Sequence, residues 1–376
     1  MELNFGRSEP FSLGIEEEFM LLSAESYELV SRFDEIAEAA GADERIKPEL
    51  LQSTVEIATH VHSSVDAAVD EARGLRARLR DAAAERDALI ASAGTHPFSR
   101  YEHQDVTEQE RYHELIEAMQ WVAERELIFG LHVHVGMQSA DQAIHVANAF
   151  RTWLPELLAL AANSPFWHGR ETGLASTRSK VFDTFPRSGL PPAFASWEEY
   201  ELLVDRGVRT NSFKDYTYIW WDLRPHPTLG TIEIRICDAV TQLEDVVAIT
   251  ALCQALVKHY SERYDAHEEI PSFHRILTTE NKWLAARYGI EAPVMDLLTG
   301  RRNRVPVAQL VRRTVKLVQP HAEDLGSERE LTGIEEILRR GNGADRQLRV
   351  FNANRDIVEV VREIAELTEA GAGVHA

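Results

Sequence analysis

Polar and apolar residues alternate along three short segments of the chain, and this alternation predicts three half-buried β-strands. The segments are Gly14–Phe19, Leu131–Gly136 and Thr231–Ile236. Successive side chains of a strand point to opposite faces, so residues two apart share a face. The shared faces carry Glu16 with Glu18, His132 with His134, and Glu233 with Arg235. Three such strands, if adjacent in one sheet, form a surface lined with carboxylates and imidazoles, which suits divalent cations.

Strand patterns alternate with helical patterns in the first part of the chain, and helical patterns alone follow. Strands are predicted at 12–22, 50–59, 89–95, 128–137, 215–223 and 229–237, and helices at 64–89, 108–126, 140–162, 197–206, 243–264, 271–289, 305–318, 328–340 and 354–369. This order predicts an α+β fold with a largely antiparallel sheet of about six strands and helices on one face. A doubly wound sheet fits less well, because the polar-faced strands lack continuous apolar runs. We expect a single domain over 1–376, strand-rich at about 11–265 and helical at about 266–370.

The stretch 162–195 reads as a long functional loop, because prolines and glycines interrupt any regular pattern. Its basic residues are Arg170, Arg178, Lys180 and Arg187, and its acidic residues are Glu171 and Asp183. This basic excess in an acidic chain favours anion binding over a plain salt-bridged loop. A second basic cluster, formed by Arg301, Arg302, Arg304, Arg312 and Arg313, is interpreted as a solvated, salt-bridged face.

Composition narrows the function classes. The chain has 376 residues, of which 44% are hydrophobic and 27% charged, an ordinary globular profile. A formal net charge of −21 argues against nucleic acid or an anionic membrane as a partner, although it equally fits a solubility adaptation. Two cysteines, Cys237 and Cys253, are too few for a disulfide scaffold or a thiolate zinc site. With no secretory signal pattern and no long apolar run, the sequence predicts a soluble, cytoplasmic protein.

The acidic and imidazole positions have structural as well as functional interpretations. Carboxylates on a half-buried strand need cations, which Arg, Lys or a metal can supply. Glu49 and Glu56 are a further candidate pair, but their odd spacing requires a bulge or a preceding loop. The two histidines could be satisfied inside a core, and Glu233 with Arg235 could be a simple ion pair. Tyr218 and Trp220 are interpreted as packing residues rather than as a cleft wall.

Oxygen-rich chemistry fits these residues better than the common alternatives. The sequence contains no Walker-type phosphate loop, no His-Glu-x-x-His zinc helix and no Gly-x-Ser-x-Gly nucleophile elbow. Carboxylates with an imidazole suit Mg²⁺ or Mn²⁺ better than zinc. Together with an arginine-rich loop, such a metal site indicates phosphoryl chemistry.

Five motifs resemble the type-2 glutamate–cysteine ligases, the bacterial carboxylate–amine ligases. They are GIEEE at 14–18, PELLQSTVE at 48–56, HVHVG at 132–136, TGLASTR at 172–178 and GTIEIR at 230–235. They keep the family's order, and the resemblance runs from about residue 11 to at least 265. It implies the catalytic fold of glutamine synthetase and the guanido kinases, a curved antiparallel sheet whose concave face holds metal ions.

The resemblance also implies roles for individual residues. The implied metal ligands are Glu16, Glu18, Glu49, Glu56, His132 and Glu233. His134 is expected near the nucleotide or substrate, and Arg235 at the transferred phosphoryl group. Arg170, Arg178 and Arg187 are expected to bind phosphate or a substrate carboxylate. We expect Arg235, Glu56 and Arg178 to be catalytic.

The implied reaction is ATP- and Mg²⁺-dependent amide formation through an acyl phosphate, with glutamate and an amine such as cysteine as substrates. A guanidino or amino phosphotransferase, a metal-dependent hydrolase and a non-catalytic nucleotide-binding homologue stay open as alternatives. The expected partners are small molecules, not nucleic acid or membrane. Related folds often self-associate, so a homo-oligomer also stays open.

Overall fold

The computed structural model describes residues 2–373 and places thirteen strands and fifteen α-helices in that range. The strands are β1 (Leu13–Ser23), β2 (Ile46–Pro48), β3 (Thr54–Ala58), β4 (Ala88–Ala91), β5 (Gly130–Gly136), β6 (Phe166–Trp167), β7 (Arg170–Glu171), β8 (Ser188–Gly189), β9 (Trp220–Trp221), β10 (Leu223–His226), β11 (Thr231–Asp238), β12 (Pro293–Val294) and β13 (Val305–Pro306). The helices are α1 (Phe33–Ala39), α2 (Val65–Ala84), α3 (Glu110–Met119), α4 (Trp121–Glu124), α5 (Ala140–Phe150), α6 (Leu154–Ala161), α7 (Arg178–Phe182), α8 (Trp197–Arg209), α9 (Leu243–Asp265), α10 (Arg275–Tyr288), α11 (Val307–Leu325), α12 (Glu328–Leu331), α13 (Gly333–Arg340), α14 (Gly343–Asn354) and α15 (Ile357–Gly371).

One seven-stranded sheet organises the molecule. Its strand order is β10-β11-β5-β1-β3-β2, with β4 also paired to β1, and every pairing in it is antiparallel. The predicted α+β class with an antiparallel sheet is therefore confirmed. Strand β2 was not predicted, and it adds the edge next to β3.

The apolar face of the sheet packs against helices. Ile15, Val133 and Ile234 belong to one buried cluster together with residues of α5, α6 and α9. On the same side of β1, the Glu17 carboxylate accepts a hydrogen bond from Arg76 Nε of α2 (3.0 Å), and both side chains are buried. Helices α5, α6 and α9 thus cover the face opposite the polar residues, whereas α15 packs with Met20 and Leu22 farther along the polar face of β1.

Helix boundaries follow local capping chemistry. Ser64, Ser139 and Ser196 each accept a backbone hydrogen bond at the start of α2, α5 and α8, satisfying donors that the first turn leaves free. The predicted helix 108–126 is two helices, because Gln120 between them has φ 51°. The predicted helix 140–162 is also two helices, and Pro155 lies in the first turn of the second.

The predicted strand 215–223 is wrong over most of its length. A 3₁₀ turn at Tyr216–Tyr218 replaces its first part, and Asp215 caps this turn by accepting a hydrogen bond from Thr217 N (2.7 Å). The strand that pairs with β11 begins only at Leu223. This shift matters because it places Arg224 in the sheet.

Candidate active site

The antiparallel register places the acidic and imidazole residues opposite one another. Glu16 lies opposite His132 across β1 and β5, and Glu18 lies opposite Glu56 across β1 and β3. Glu233 lies opposite His134 across β11 and β5. Directly opposed residues of neighbouring strands have Cβ atoms roughly 5 Å apart. The register therefore brings residues from four strands into one polar patch.

Three groups in this patch offer ligand atoms that lie within 4.8 Å of one another. The groups are Glu16 with Glu56 and His132, Glu16 with His134 and Glu233, and Glu18 with Glu49 and Glu56. Glu16 and Glu56 each belong to two groups, so the patch is continuous. All six residues predicted as metal ligands belong to these groups, and His134 is a further member.

Glu49 reaches the patch from a loop. β2 ends at Pro48 and β3 begins at Thr54, so Glu49 and Glu56 do not share a strand. Leu50 N donates to Glu49 Oε2 (3.2 Å), which holds the carboxylate in place. Of the two explanations for the odd spacing, the preceding loop is correct.

The buried carboxyl groups lack enough cations of their own. Burial, together with neighbouring carboxylates, raises the pKa of Glu49 to about 7 and that of Glu56 well above its usual range. Burial also raises the pKa of Glu18, although Arg178 opposes this. Lys47 Nζ lies 3.3 Å from Glu56 Oε1 and is the nearest compensating charge there. A divalent cation would relieve this repulsion, so the donor set fits Mg²⁺ or Mn²⁺.

The two histidines also support a metal site. His132 Nδ1 lies 3.2 Å from Glu16 Oε2, and His134 Nε2 lies 3.5 Å from the same oxygen. Within the described residues, Nε2 of each ring is buried without a hydrogen-bond partner. Burial lowers the pKa of His132 to about 4, which leaves its ring neutral and able to ligate a metal. Although burial of Glu16 opposes it, the two imidazoles hold the pKa of that carboxyl well below its usual range.

Guanidinium groups surround Glu233 at the other end of the patch. Arg224 donates to Glu233 Oε2 through Nε (2.8 Å) and Nη2 (2.7 Å), and Arg235 donates to Oε1. These two arginines hold the pKa of Glu233 far below its usual range, although burial opposes them. Arg224 was missed by sequence reasoning, because the strand was expected to end at residue 223. Arg224 and His226 are two residues apart and therefore share a face of one strand, and this spacing could have revealed Arg224.

Arg178 enters the patch from the first residue of α7. Its Nη1 donates to Ile236 O and its Nη2 to Arg235 O, each at 3.4 Å. Within the described residues, Nε of Arg178 and Nε of Arg235 are buried without acceptors. Unfilled buried donors of this kind suit a phosphate or carboxylate ligand.

The patch lines a cleft of about 460 Å³. Arg170 and Arg187 do not line it. Arg170 is exposed on the β6–β7 hairpin, whereas Arg187 stacks over Trp220 with its Cζ 5.4 Å from the ring centroid. A loop offers no periodicity from which to place such arginines individually. Tyr218 and Trp220 do line the cleft, so their interpretation as packing residues is wrong.

A second pocket of about 200 Å³ adjoins the cleft. It shares Glu16, Lys47 and His134 with the cleft, and the exposed side chains of Val61 and Leu229 give it an apolar lining. A polar cleft therefore opens onto a smaller, more apolar compartment. The second basic cluster lies elsewhere and is salt-bridged, as Arg313 with Asp296 (2.8 Å) and Arg312 with Glu335 (2.8 Å) illustrate.

Comparison with known proteins identifies the family. The model of glutamate–cysteine ligase family 2 matches residues 12–365. The chain belongs to glutamate–cysteine ligase family 2. It is 44% identical over 370 residues to a provisionally named glutamate–cysteine ligase 2-1 of Rubrobacter xylanophilus, covering 98% of this chain and 97% of that relative. A similarly named protein of Solibacter usitatus is 43% identical over 366 residues, covering 96% of this chain and 94% of that relative.

Solved structures show that the fold of this family 2 chain is shared more widely. The glutamate–cysteine ligase of Francisella tularensis in complex with AMP superposes with a TM-score of 0.72 at 12% identity, covering 98% of this chain and 90% of that one. A bifunctional glutathione synthetase of Pasteurella multocida gives a TM-score of 0.69 at 15% identity, with 96% of this chain matched to 52% of that one. No helix within residues 2–373 has both the length and the apolar character needed to cross a membrane.

Proposed function

We propose that this protein is an ATP- and Mg²⁺- or Mn²⁺-dependent ligase that joins the γ-carboxylate of glutamate to an amine such as cysteine. One observation carries the proposal: linked clusters of metal-competent residues share a cleft with two buried guanidinium groups that have unfilled donors. Metal-bound phosphates and a carboxylate substrate need both elements. The family relationship and the AMP bound to the Francisella enzyme support the same chemistry.

Each side chain would contribute binding or charge neutralisation. Glu16, Glu18, Glu49, Glu56, His132, His134 and Glu233 would hold the divalent cations. These cations, when bound, supply Lewis acidity and neutralise phosphate charge. Arg235 and Arg178 would bind the oxygens of the transferred phosphoryl group or the glutamate carboxylate. Arg224 would keep Glu233 ionised and fixed for its role.

The reaction would proceed in two displacements. Positioned by Arg178 and Arg235, the γ-carboxylate oxygen attacks the γ-phosphorus of ATP, and the bond to the bridging oxygen of ADP breaks. The amine nitrogen then attacks the acyl carbon and loses a proton to water. The bond between the acyl carbon and the phosphate oxygen breaks, and inorganic phosphate leaves with that electron pair. The guanidinium groups stabilise the charge that develops on the transferred oxygens.

The nucleotide base would occupy the smaller pocket. A purine ring needs an apolar slot, and the exposed Val61 and Leu229 line one that opens beside Glu16 and His134. The triphosphate would then extend toward the metal-binding patch. Glutamate and the amine would occupy the remainder of the larger cleft.

The test is release of ADP and phosphate with Mg·ATP, L-glutamate and a panel of amines including L-cysteine, each component omitted in turn. Release that requires both glutamate and one amine is the expected result. Phosphorylated substrate without amide would instead identify a phosphotransferase. Nucleotide binding without turnover of any panel member would contradict the ligase proposal.

Alanine variants connect that activity to the cleft. Glu16→Ala and Glu233→Ala each remove a metal-competent carboxylate. We expect each variant to lose several kcal/mol of transition-state stabilisation, which corresponds to a kcat at least about a hundredfold lower. Glu25→Ala, which removes an exposed carboxylate outside the cleft, is the matched control and should keep full activity. Near-normal turnover in both cleft variants would refute the assignment.

A further inference from the structure

Glu126 has a carboxyl group in the cleft. It belongs to none of the three metal-competent groups and has no role in the proposed function. The alternation of β5 continues toward its N-terminal side, since Ile128 forms a bridge with Thr95. Glu126 and Ile128 therefore precede Gly130 and His132 on the same face, and both line the cleft. The predicted helix 108–126 concealed this, because it assigned Glu126 to a helix that in fact ends at Glu124.

One oxygen of the Glu126 carboxyl group lacks a hydrogen-bond partner among the described residues. Glu126 Oε1 is buried without a hydrogen bond in the described part of the chain. The charged groups that influence it are Arg178 and Arg125, which favour its ionised form, and Glu18, which opposes it. Burial is the strongest influence and raises the pKa of Glu126 to about 8. Such a group is poised to ionise when a cation arrives.

Arg178 supplies the opposite charge beside it. Both residues line the cleft, and Arg178 is the charge that acts most strongly on Glu126. A carboxylate next to a guanidinium group complements the ammonium and carboxylate groups of an amino acid. The metal-competent groups do not include Glu126, so its carboxylate is free to take the ammonium group.

We propose that Glu126 binds the primary ammonium group of an amino-acid substrate, with Arg178 in the same cleft for a substrate carboxylate. The inference rests on the proposed function for the identity of the substrates and adds a specificity-determining residue to it. Two substrates carry this group: glutamate through its α-ammonium, and the amine that is to be coupled. In the first case Glu126 selects the acid; in the second it binds the nucleophile before the nucleophile is deprotonated.

The test compares ligands that differ only in the ammonium group. Dissociation constants are measured by calorimetry, with Mg·ADP present, for L-glutamate against glutarate and for L-cysteine against 3-mercaptopropionate. We expect Glu126→Gln to weaken one ammonium-bearing ligand at least about tenfold and to leave its des-amino partner unchanged, because a charged hydrogen bond is lost only with the former. Glu124→Gln, an exposed neighbour on α4, is the matched control and should change neither.

Each outcome decides the inference. A selective loss for glutamate or for cysteine supports it and identifies the source of the ammonium group. An equal loss for a ligand and its des-amino partner, an unchanged affinity for all four, or no binding of either amino acid to the unchanged protein overturns it. Glu126→Asp retains the charge but withdraws it by one methylene, so a partial loss distinguishes charge recognition from misfolding.

The ligase assignment and the role of Glu126 can be refuted independently. Ligase turnover with unaltered amino-acid affinity in Glu126→Gln would refute only the role of Glu126. A selective ammonium effect in a protein without ligase turnover would refute only the ligase assignment.

Discussion

At the scale of single residues, Gly130 shows how the absence of a side chain shapes the cleft. A Cβ at this position would overlap Arg178 Nη2 and would lie 3.1 Å from both Arg178 Cζ and His132 Nε2. The Gly130 backbone N–H also donates to Glu18 Oε2. Gly130 therefore makes room for a guanidinium group while its backbone orients a metal-competent carboxylate.

We expect Gly130→Ala to reduce ligase activity at least about tenfold, because Arg178 must leave its position while the sheet itself tolerates a methyl group. Overpacking of this kind costs about 1–3 kcal/mol when a neighbour cannot yield, and less where it can. Steady-state kinetics together with denaturant unfolding measure both effects. Gly74→Ala is the control: its Cβ would meet nothing within 4 Å on α2, and replacing a mid-helix glycine should stabilise by about 0.5–1 kcal/mol. Full activity in Gly130→Ala would show that Arg178 need not occupy this position.

At the scale of secondary-structure elements, periodicity explains which parts were predictable. The alternation in β1, β5 and β11 predicts which polar residues share a face of each strand, and the strand register then brings Glu16, His132 and Glu233 together on one face of the sheet. The same rule would have found Arg224 one residue after the predicted strand 215–223, and Glu126 two residues before the predicted strand 128–137. Arg170 and Arg187 were misplaced because loop positions carry no period, and only the tertiary fold decides where such side chains point.

Lys282 of α10 joins the helical part of the chain to the cleft wall. It is 3% exposed, and its Nζ donates to Asp183 Oδ1 (2.9 Å) and Asp222 Oδ1 (2.8 Å). Asp183 follows α7, and Asp222 O accepts a hydrogen bond from Arg235 N (2.9 Å). One buried ammonium group thus joins the segment that carries Arg178 to the segment that is hydrogen-bonded to Arg235.

We expect Lys282→Met to destabilise the protein by about 3–5 kcal/mol, because it leaves the buried Asp222 carboxylate without its cation, whereas the exposed Asp183 keeps its ion pair with Lys180. Denaturant unfolding with a linear extrapolation measures the change. Arg304→Met breaks an exposed ion pair with Glu280 (3.2 Å) and should change stability by less than about 1 kcal/mol. A loss no larger than this in Lys282→Met would mean that packing, and not charge, joins α10 to the cleft.

At the scale of the whole molecule, the site is assembled by long-range pairing. The carboxylates come from β1, β3, β11 and the loop after β2, so residues separated by more than two hundred positions meet in one patch. Their mutual repulsion opposes folding of the metal-free protein, whereas cations bound to the three groups would together join all four segments. Stability and function therefore make opposite demands on the same side chains.

Glu49 allows these opposite demands to be measured. In EDTA we expect Glu49→Gln to raise the melting temperature, because it removes a buried carboxylate that Glu18 and Glu56 repel. In saturating Mg²⁺ the unchanged protein should have the higher melting temperature. A ligand at a hundred times its Kd adds about 2.7 kcal/mol to the free energy of unfolding of the unchanged protein, and the variant gains less because it has lost part of that affinity. Thermal unfolding of both proteins in the two buffers gives the four melting temperatures, and Glu25→Gln should behave like the unchanged protein throughout. A melting temperature of the unchanged protein that does not respond to Mg²⁺ or Mn²⁺ would argue that the carboxylate clusters are not a metal site.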